Sequence, residues 1–217
     1  MRTLWYMVLA VLGLGLSSCG SGEKPAQGNG YPNGVKSEKE MKKVVILSSS
    51  PRRGGNSDLL CDRFMEGAIS AGHQVEKLFL YDYEINDFVA NDSLGDHTDR
   101  NMADDVPMIM DKLVGADVIV LATPVYFYTM CGRMKTMIDR TYGRHRDLKN
   151  KEFYYIITSA VRSTDRLQRT VEEFRGFLDC LPHPQECGII YGMGTHNKGS
   201  VAGLPVMQEA YETGRSI

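Results

Sequence analysis

Val44-Val45-Ile46-Leu47 runs without a break into Ser48-Ser49-Ser50-Pro51-Arg52-Arg53-Gly54-Gly55-Asn56-Ser57, after which Leu59, Leu60, Phe64 and Met65 recur at helical spacing until Gly72. Consecutive aliphatic residues without polar alternation mark a strand buried on both faces, the kind a parallel sheet uses. A strand, a polar loop and a helix in that order make the first half of a crossover unit. The pattern then repeats. Further strands are predicted at 75–80, 118–121, 153–157 and 186–191. Further helices are predicted around Met108, Ile109, Leu113 and Val114, then over 130–141, 167–181 and 205–214. A polar stretch from Asn86 to Asp104 separates the second strand from its helix.

Five such alternations require helices on both faces of a parallel sheet, because each crossover is right-handed. The expected architecture is α/β, a flavodoxin-like doubly wound three-layer sandwich with a five-stranded parallel sheet in the order 2-1-3-4-5. In such sheets ligands bind where the strand order reverses, above the carboxyl ends of strands one and three. The loops after those two strands should therefore be the chemically richest, and they are.

The first loop places hydroxyls, backbone N–H groups and arginine around a helix N-terminus, where a phosphate dianion is well stabilised. It is not a Walker A loop, because GxxxxGK[ST] is absent, and it is not GxGxxG, because its glycines are adjacent at Gly54 and Gly55. A monophosphate fits better than a triphosphate or a dinucleotide. The second loop, 122–130, reads Ala122-Thr123-Pro124-Val125-Tyr126-Phe127-Tyr128-Thr129-Met130. Three consecutive aromatics cannot all enter one core, so some should face a ligand or close the end of the core. A phosphate at one end and a flat aromatic system at the other describe FMN, with Tyr126, Phe127 and Tyr128 shaping a slot beside the ring.

These motifs, with Met134-Lys135, Ile138-Asp139-Arg140, Tyr191-Gly192-Met193-Gly194 and Lys198-Gly199, resemble the flavodoxin-fold NAD(P)H-dependent FMN reductases, including their iron–sulfur flavoprotein branch. The resemblance covers about 42–217. It implies that Ser50, Arg52, Asn56 and Ser57 hold the FMN phosphate and that Thr123, Pro124, Val125, Tyr126 and Phe127 contact the isoalloxazine. It implies hydride transfer through flavin N5 from NADH or NADPH to a quinone, nitroaromatic, azo or flavin acceptor, with no covalent nucleophile, and a homo-oligomer, a dimer in the first instance. Ser159, Arg162 or Asp165 would frame the far wall of the slot, and His196 its mouth. Arg140, Arg144, His145 and Arg146 either attract the NADPH 2′-phosphate or complement a helix dipole. A one-electron flavodoxin-like shuttle and a non-catalytic flavin-binding lipoprotein remain alternatives.

The chain departs from the iron–sulfur branch, whose cluster needs a compact cysteine set. No cysteine lies between Cys61 and Cys131. His97 with Asp96, Asp99, Asp104 and Asp105 has the ligand types for zinc or manganese but no fixed spacing, so a metal site is not expected there. Cys61, Cys131, Cys180 and Cys187 have no CxxC spacing and read as mostly buried thiols, with a Cys180–Cys187 bridge as a lesser alternative.

Composition bounds the rest. The formal net charge of −2, without a block of like charge, excludes a nucleic-acid arm. The uncharged run from Leu4 to Leu16 would make about 20 Å of helix against a hydrocarbon core of roughly 30 Å, so an export signal fits better than a permanent span. Leu16-Ser17-Ser18-Cys19-Gly20 resembles the lipobox of bacterial lipoproteins, which implies a signal peptide at 1–18 and an acylated Cys19 anchoring the chain to a membrane. Residues 20–39, GSGEKPAQGNGYPNGVKSEK, have almost nothing to bury and read as tether. The expected organisation is a signal at 1–18, lipidated cysteine and tether at 19–40, and an FMN-binding domain at 41–217.

Overall fold

A computed structural model describes residues 40–89 and 103–217. The expected signal peptide, Cys19 and the tether up to residue 39 lie outside these residues, as do Asp96, His97 and Asp99. Among the described residues no helix is long and apolar enough to cross a membrane.

The elements follow as β1 (Lys43–Ser48), α1 (Asn56–Ser70), β2 (Gln74–Phe79), α2 (Val106–Gly115), β3 (Val118–Tyr126), β4 (Thr129–Met130), α3 (Gly132–Asp139), β5 (Glu152–Ser159), α4 (Gln168–Leu178), β6 (Gln185–Met193) and α5 (Val206–Ser216). The main sheet is parallel with order β2-β1-β3-β5-β6, which is the expected 2-1-3-4-5 once the two-residue β4 is set aside. Period-two alternation divides the sheet between two cores. Val44, Ile46, Val118, Val120, Tyr154 and Ile156 pack with α1 and α5. Val45, Leu47, Ile119, Leu121, Phe153, Tyr155 and Ile157 pack with α2, α3 and α4. Helices α1 and α5 meet through glycine: a Cβ on Gly67 would lie 2.0 Å from the Tyr211 carbonyl oxygen, and one on Gly214 equally close to that of Phe64.

The third strand is the main departure from expectation. Residues 122–126, expected as loop, continue β3, which then turns back antiparallel through β4 with Val125 opposite Met130 and Tyr126 opposite Thr129. Proline does not break it, because pairing with β1 ends at Ala122 and only the β5 side continues to Pro124. The missing N–H therefore costs nothing on the open side.

The excursion between β2 and α2 is pinned at its base. Glu84 N–H donates to Asp105 Oδ2 (2.7 Å), Asp105 N–H to the Glu84 carbonyl (3.0 Å) and Asn86 N–H to Asp104 Oδ2 (2.9 Å). Arg140, the C-cap of α3, forks onto both Asp104 oxygens, with Nη2 3.0 Å from Oδ1, and donates to the Asn86 carbonyl (2.9 Å). Both side chains of this ion pair are 0% exposed. Arg140 is therefore withdrawn from any role in attracting the NADPH 2′-phosphate. Arg144 is held by Asp111 and Asp147, so two of the four residues of the expected basic stretch are engaged in internal ion pairs.

Burial alone would raise the Asp104 pKa, but Arg140 and the N–H groups of Asn86 and Val106 outweigh it and hold the carboxyl below its ordinary value. A depressed carboxyl stabilises the fold above its unfolded pKa of about 3.9, and that contribution is lost as pH falls through the lower folded value. Asp104→Asn removes the buried carboxylate that Arg140 and the Asn86 and Val106 N–H groups share, so urea denaturation at pH 7 should show a loss of about 1.5–3 kcal/mol. The gap between variant and wild type should narrow below about pH 4 as the wild-type carboxyl protonates; a gap independent of pH would contradict this account.

Candidate active site

The carboxyl end of β1 and the turn that follows form the floor of the site. Ser49 extends the β1–β3 ladder beyond the last paired residues, donating from N–H (3.0 Å) and Oγ (2.7 Å) to the Ala122 carbonyl. The chain then turns tightly. Gly54 has φ +63°, and Gly55 donates to the Arg52 carbonyl at 2.9 Å. A Cβ on Gly55 would lie 2.7 Å from that carbonyl oxygen, which is why two small residues stand here. The buried Asp58 reaches back to the Gly54 N–H (2.8 Å) and is balanced by Lys77 Nζ at 2.8 Å. Burial opposes the charge on Lys77, yet Asp58 and Asp62 outweigh it and raise its pKa. With the Asp58 charge offset, the first-turn N–H groups of α1 keep their positive end available.

The two arginines of the turn have different fates. Arg53 is turned toward β2, paired with Asp82 and stacked over Phe79 at 4.4 Å from the ring centroid. Arg52 lines the site and has no ion pair among the described residues. Ser50 Oγ accepts the Arg52 N–H at 3.3 Å, which leaves its own proton to donate.

A cavity of about 460 Å³ opens over this floor. Ser50, Arg52, Asn56 and Ser57 line one side, and Pro124, Val125 and Tyr126 another. Thr158, Ser159 and Ala160 from the end of β5, with Thr195 and His196 beyond β6, close it. Asn56 and Ser57 contribute less by their side chains than expected. Asn56 Nδ2 donates to the carbonyls of Thr195 (3.2 Å) and Asn197 (2.9 Å), and Oδ1 accepts the Val201 N–H (3.2 Å). Ser57 Oγ lies 2.6 Å from Thr158 Oγ1. These two side chains stitch the loops after β5 and β6 to α1, while their backbone N–H groups stay at the helix start.

The aromatic triplet is split. Tyr126 lines the cavity, but Phe127 and Tyr128 are the central residues of the β3–β4 turn with φ of 51° and 66°, and neither lines it. Such two-residue hairpin loops need positive φ at both positions, a conformation that costs a bulky residue about 1–3 kcal/mol. Phe127 is 99% exposed. Thr123 is fully buried, its hydroxyl accepting the Cys131 N–H (3.0 Å) and donating to the Pro124 carbonyl (2.9 Å), so it shapes the strand end rather than the cavity wall. Ser159 and His196 fall where expected. Arg162 instead packs over Gly194, and Asp165 lines a neighbouring hollow. Thr158, Ala160 and Thr195 were not foreseen. The rule that ligands sit at carboxyl strand ends reaches Thr158 and Ala160, whereas Thr195 depends on the Asn56 clasp.

Another hollow of about 420 Å³ lies between α3 and α4, its exposed wall mostly apolar although Lys135, Asp139, His145 and Glu173 reach it. The thiols divide evenly: Cys61 and Cys131 are buried, whereas Cys180 and Cys187 are exposed and free, so neither four buried thiols nor a bridge is found. Burial pushes the Cys61 thiol up and keeps it protonated.

The family described as NADPH-dependent FMN reductase matches residues 42–188. An iron–sulfur flavoprotein of Archaeoglobus fulgidus is 32% identical over 127 residues, which cover 56% of this chain and 61% of that protein. A putative NAD(P)H-dependent FMN-containing oxidoreductase of Bacillus subtilis is 26% identical over 111 residues, 51% of this chain and 58% of its own length. The chain thus spans between 51% and 61% of the curated relatives it matches. Among solved structures, an NAD(P)H:quinone oxidoreductase from Methanothermobacter marburgensis superposes with a TM-score of 0.62 at 19% identity, covering 82% of this chain and 97% of that one, which establishes a shared fold.

Asn56→Ala would strip three hydrogen bonds from the loop after β6, each buried polar group losing about 1–3 kcal/mol of satisfaction. Amide exchange at Val201 should accelerate well beyond that of the β1 amides; equal acceleration in both would mean global destabilisation instead.

Proposed function

The chain belongs to the NADPH-dependent FMN reductase family, and from that premise we propose that it is an FMN-dependent NAD(P)H oxidoreductase whose cofactor occupies the cavity at the carboxyl ends of β1 and β3. The observation that carries this reading is the pairing, in one cavity, of the positive end of α1 and an Arg52 without an ion pair among the described residues with the Tyr126 wall. That arrangement fits a molecule with a phosphate at one end and a flat ring at the other. Bound there, FMN would supply the redox chemistry, passing hydride through N5 from NADH or NADPH to a quinone, nitroaromatic, azo or flavin acceptor.

The chain's own work is to bind and to exclude water. Arg52 and the α1 N–H groups neutralise the phosphate, and Ser50 donates a hydroxyl. Pro124, Val125 and Tyr126 form the ring-side wall, while Thr158, Ser159 and Thr195 close the opposite side with small polar groups. Hydride transfer between bound rings asks for no protein nucleophile, and the structure needs to offer none.

The reading includes a homodimer and an exported lipoprotein anchored through Cys19, which rest on the family resemblance and on the hydrophobic run before Ser17-Ser18-Cys19. Mass spectrometry of protein from the native host should find a diacylglyceryl mass on Cys19 and no peptide from residues 1–18. A soluble chain retaining Met1 would remove the anchor from the reading.

Phosphate recognition is tested by titrating apoprotein with FMN and with riboflavin. Arg52→Ala removes a charge-assisted donor worth roughly 1.5–3 kcal/mol, so FMN affinity should fall about tenfold to a hundredfold while riboflavin affinity hardly moves. Equal wild-type affinities for FMN and riboflavin, with no effect of Arg52→Ala, would refute the phosphate site.

A further inference from the structure

Beside the cofactor cavity lies a smaller hollow of about 260 Å³, lined by Tyr128, Asp165, Arg166 and Arg169. We propose that this hollow is a nucleotide subsite, taking the ribose and phosphate portion of the nicotinamide donor while its ring enters the adjoining cavity. The proposal rests on the oxidoreductase reading above and specifies which part of the chain recognises the donor.

The hairpin joins the two spaces. Tyr126 lines the cavity, Tyr128 lines the hollow, and Phe127 stands between them fully exposed. On the other side, Ala160 in the cavity wall and Asp165 in the hollow belong to the same short connection after β5. The two spaces thus flank one hairpin and one connection, which is where a ligand longer than one ring would extend.

The chemistry of the hollow suits a nucleotide rather than a plain anion. Arg169 has no ion pair among the described residues, and Arg166 is engaged only by the Tyr128 hydroxyl at 3.2 Å. Two guanidinium groups provide forked donors for phosphate oxygens. Asp165 would repel a bare anion, but a carboxylate accepts the hydrogen bonds of ribose hydroxyls, the division of labour by which dinucleotide sites pair an acid with a phosphate-binding donor set. Asp165, Arg166 and Arg169 are all exposed and so accessible to a ligand.

The wall is also rigid. Arg166, Thr170 and Glu173 occupy one face in and just before α4 and hold the hairpin at three points. Arg166 bonds the Tyr128 hydroxyl, Thr170 Oγ1 donates to the Tyr128 carbonyl (3.3 Å), and Glu173 accepts the Met130 N–H (2.7 Å). The strained positive-φ conformation of Phe127 and Tyr128 is thereby fixed before any ligand arrives.

The test uses FMN-loaded protein and anaerobic reduction by NADH, NADPH and the uncharged donor N-benzyl-dihydronicotinamide. Arg169→Gln should lower selectivity for the dinucleotides over the uncharged donor about tenfold or more, and Arg169→Lys should recover part of it. Equal losses with charged and uncharged donors, or no loss, would overturn the subsite. So would a loss confined to a sulfonated azo acceptor, which would assign the arginines to the acceptor. Titration with ADP-ribose gives an answer independent of redox activity. Wild type should bind it and Arg169→Gln should bind it about tenfold more weakly, whereas a wild type that ignores it overturns the proposal. Reduction of the flavin by none of the donors, with ADP-ribose still bound, would remove the reductase reading and leave the nucleotide site.

Discussion

Everything at the site depends on the pairing of β1 with β3, carried one step past the strands by Ser49 on the Ala122 carbonyl. In a parallel sheet the connections leave to opposite faces wherever the strand order reverses, so no helix covers the crevice between those two strand ends. Here the reversal brings the turn at Arg52–Gly55 beside Pro124–Tyr126. Hydrophobic burial on both faces fixes that pairing, because a one-residue slip would exchange Val45 and Leu47 with Val44 and Ile46 and turn each set toward the wrong core.

Charge at the crevice is arranged by what is cancelled as much as by what is supplied. Asp58 sits in the first turn of α1 and would oppose a phosphate, yet Lys77 pairs with it and leaves it free to hold the Gly54 N–H. Arg53 is spent on Asp82. Facing the cavity are the start of the helix and Arg52, which has no ion pair among the described residues. The hairpin beyond β3 is held by a similar economy of contacts, since one face of α4 restrains a turn whose two aromatic residues would not choose positive φ unaided.

The excursion after β2 carries no cysteine, and its two ends are closed by Asp104, Asp105 and the buried Arg140. A paired charge in this position is less tolerant of change than an apolar contact, because the Asp104 carboxylate without Arg140 would be stranded away from water.

The sequence by itself determined the fold and which two loops meet where the strand order reverses. Runs such as Val44–Leu47 and Val118–Leu121 have no polar alternation, so they had to be buried strands, and the Ser50–Ser57 turn between strand and helix had to lie at the reversal. It also showed that no cysteine lies between Cys61 and Cys131, a difference visible in one dimension. Tertiary structure decided what each side chain does there. Asn56 and Ser57 have the right types for ligand contact but also bond Thr195 and Thr158, partners more than 100 residues away, and Thr123 bonds Cys131 across the hairpin turn. Arg140 reads as a surface cation and is buried, because its partner, Asp104, is 36 residues away. The aromatic triplet gave no sign of its division into cavity wall, exposed tip and second hollow. Composition and periodicity report which residues seek burial and with what period, whereas hydrogen-bond partners at long separation are fixed only when the sheet assembles.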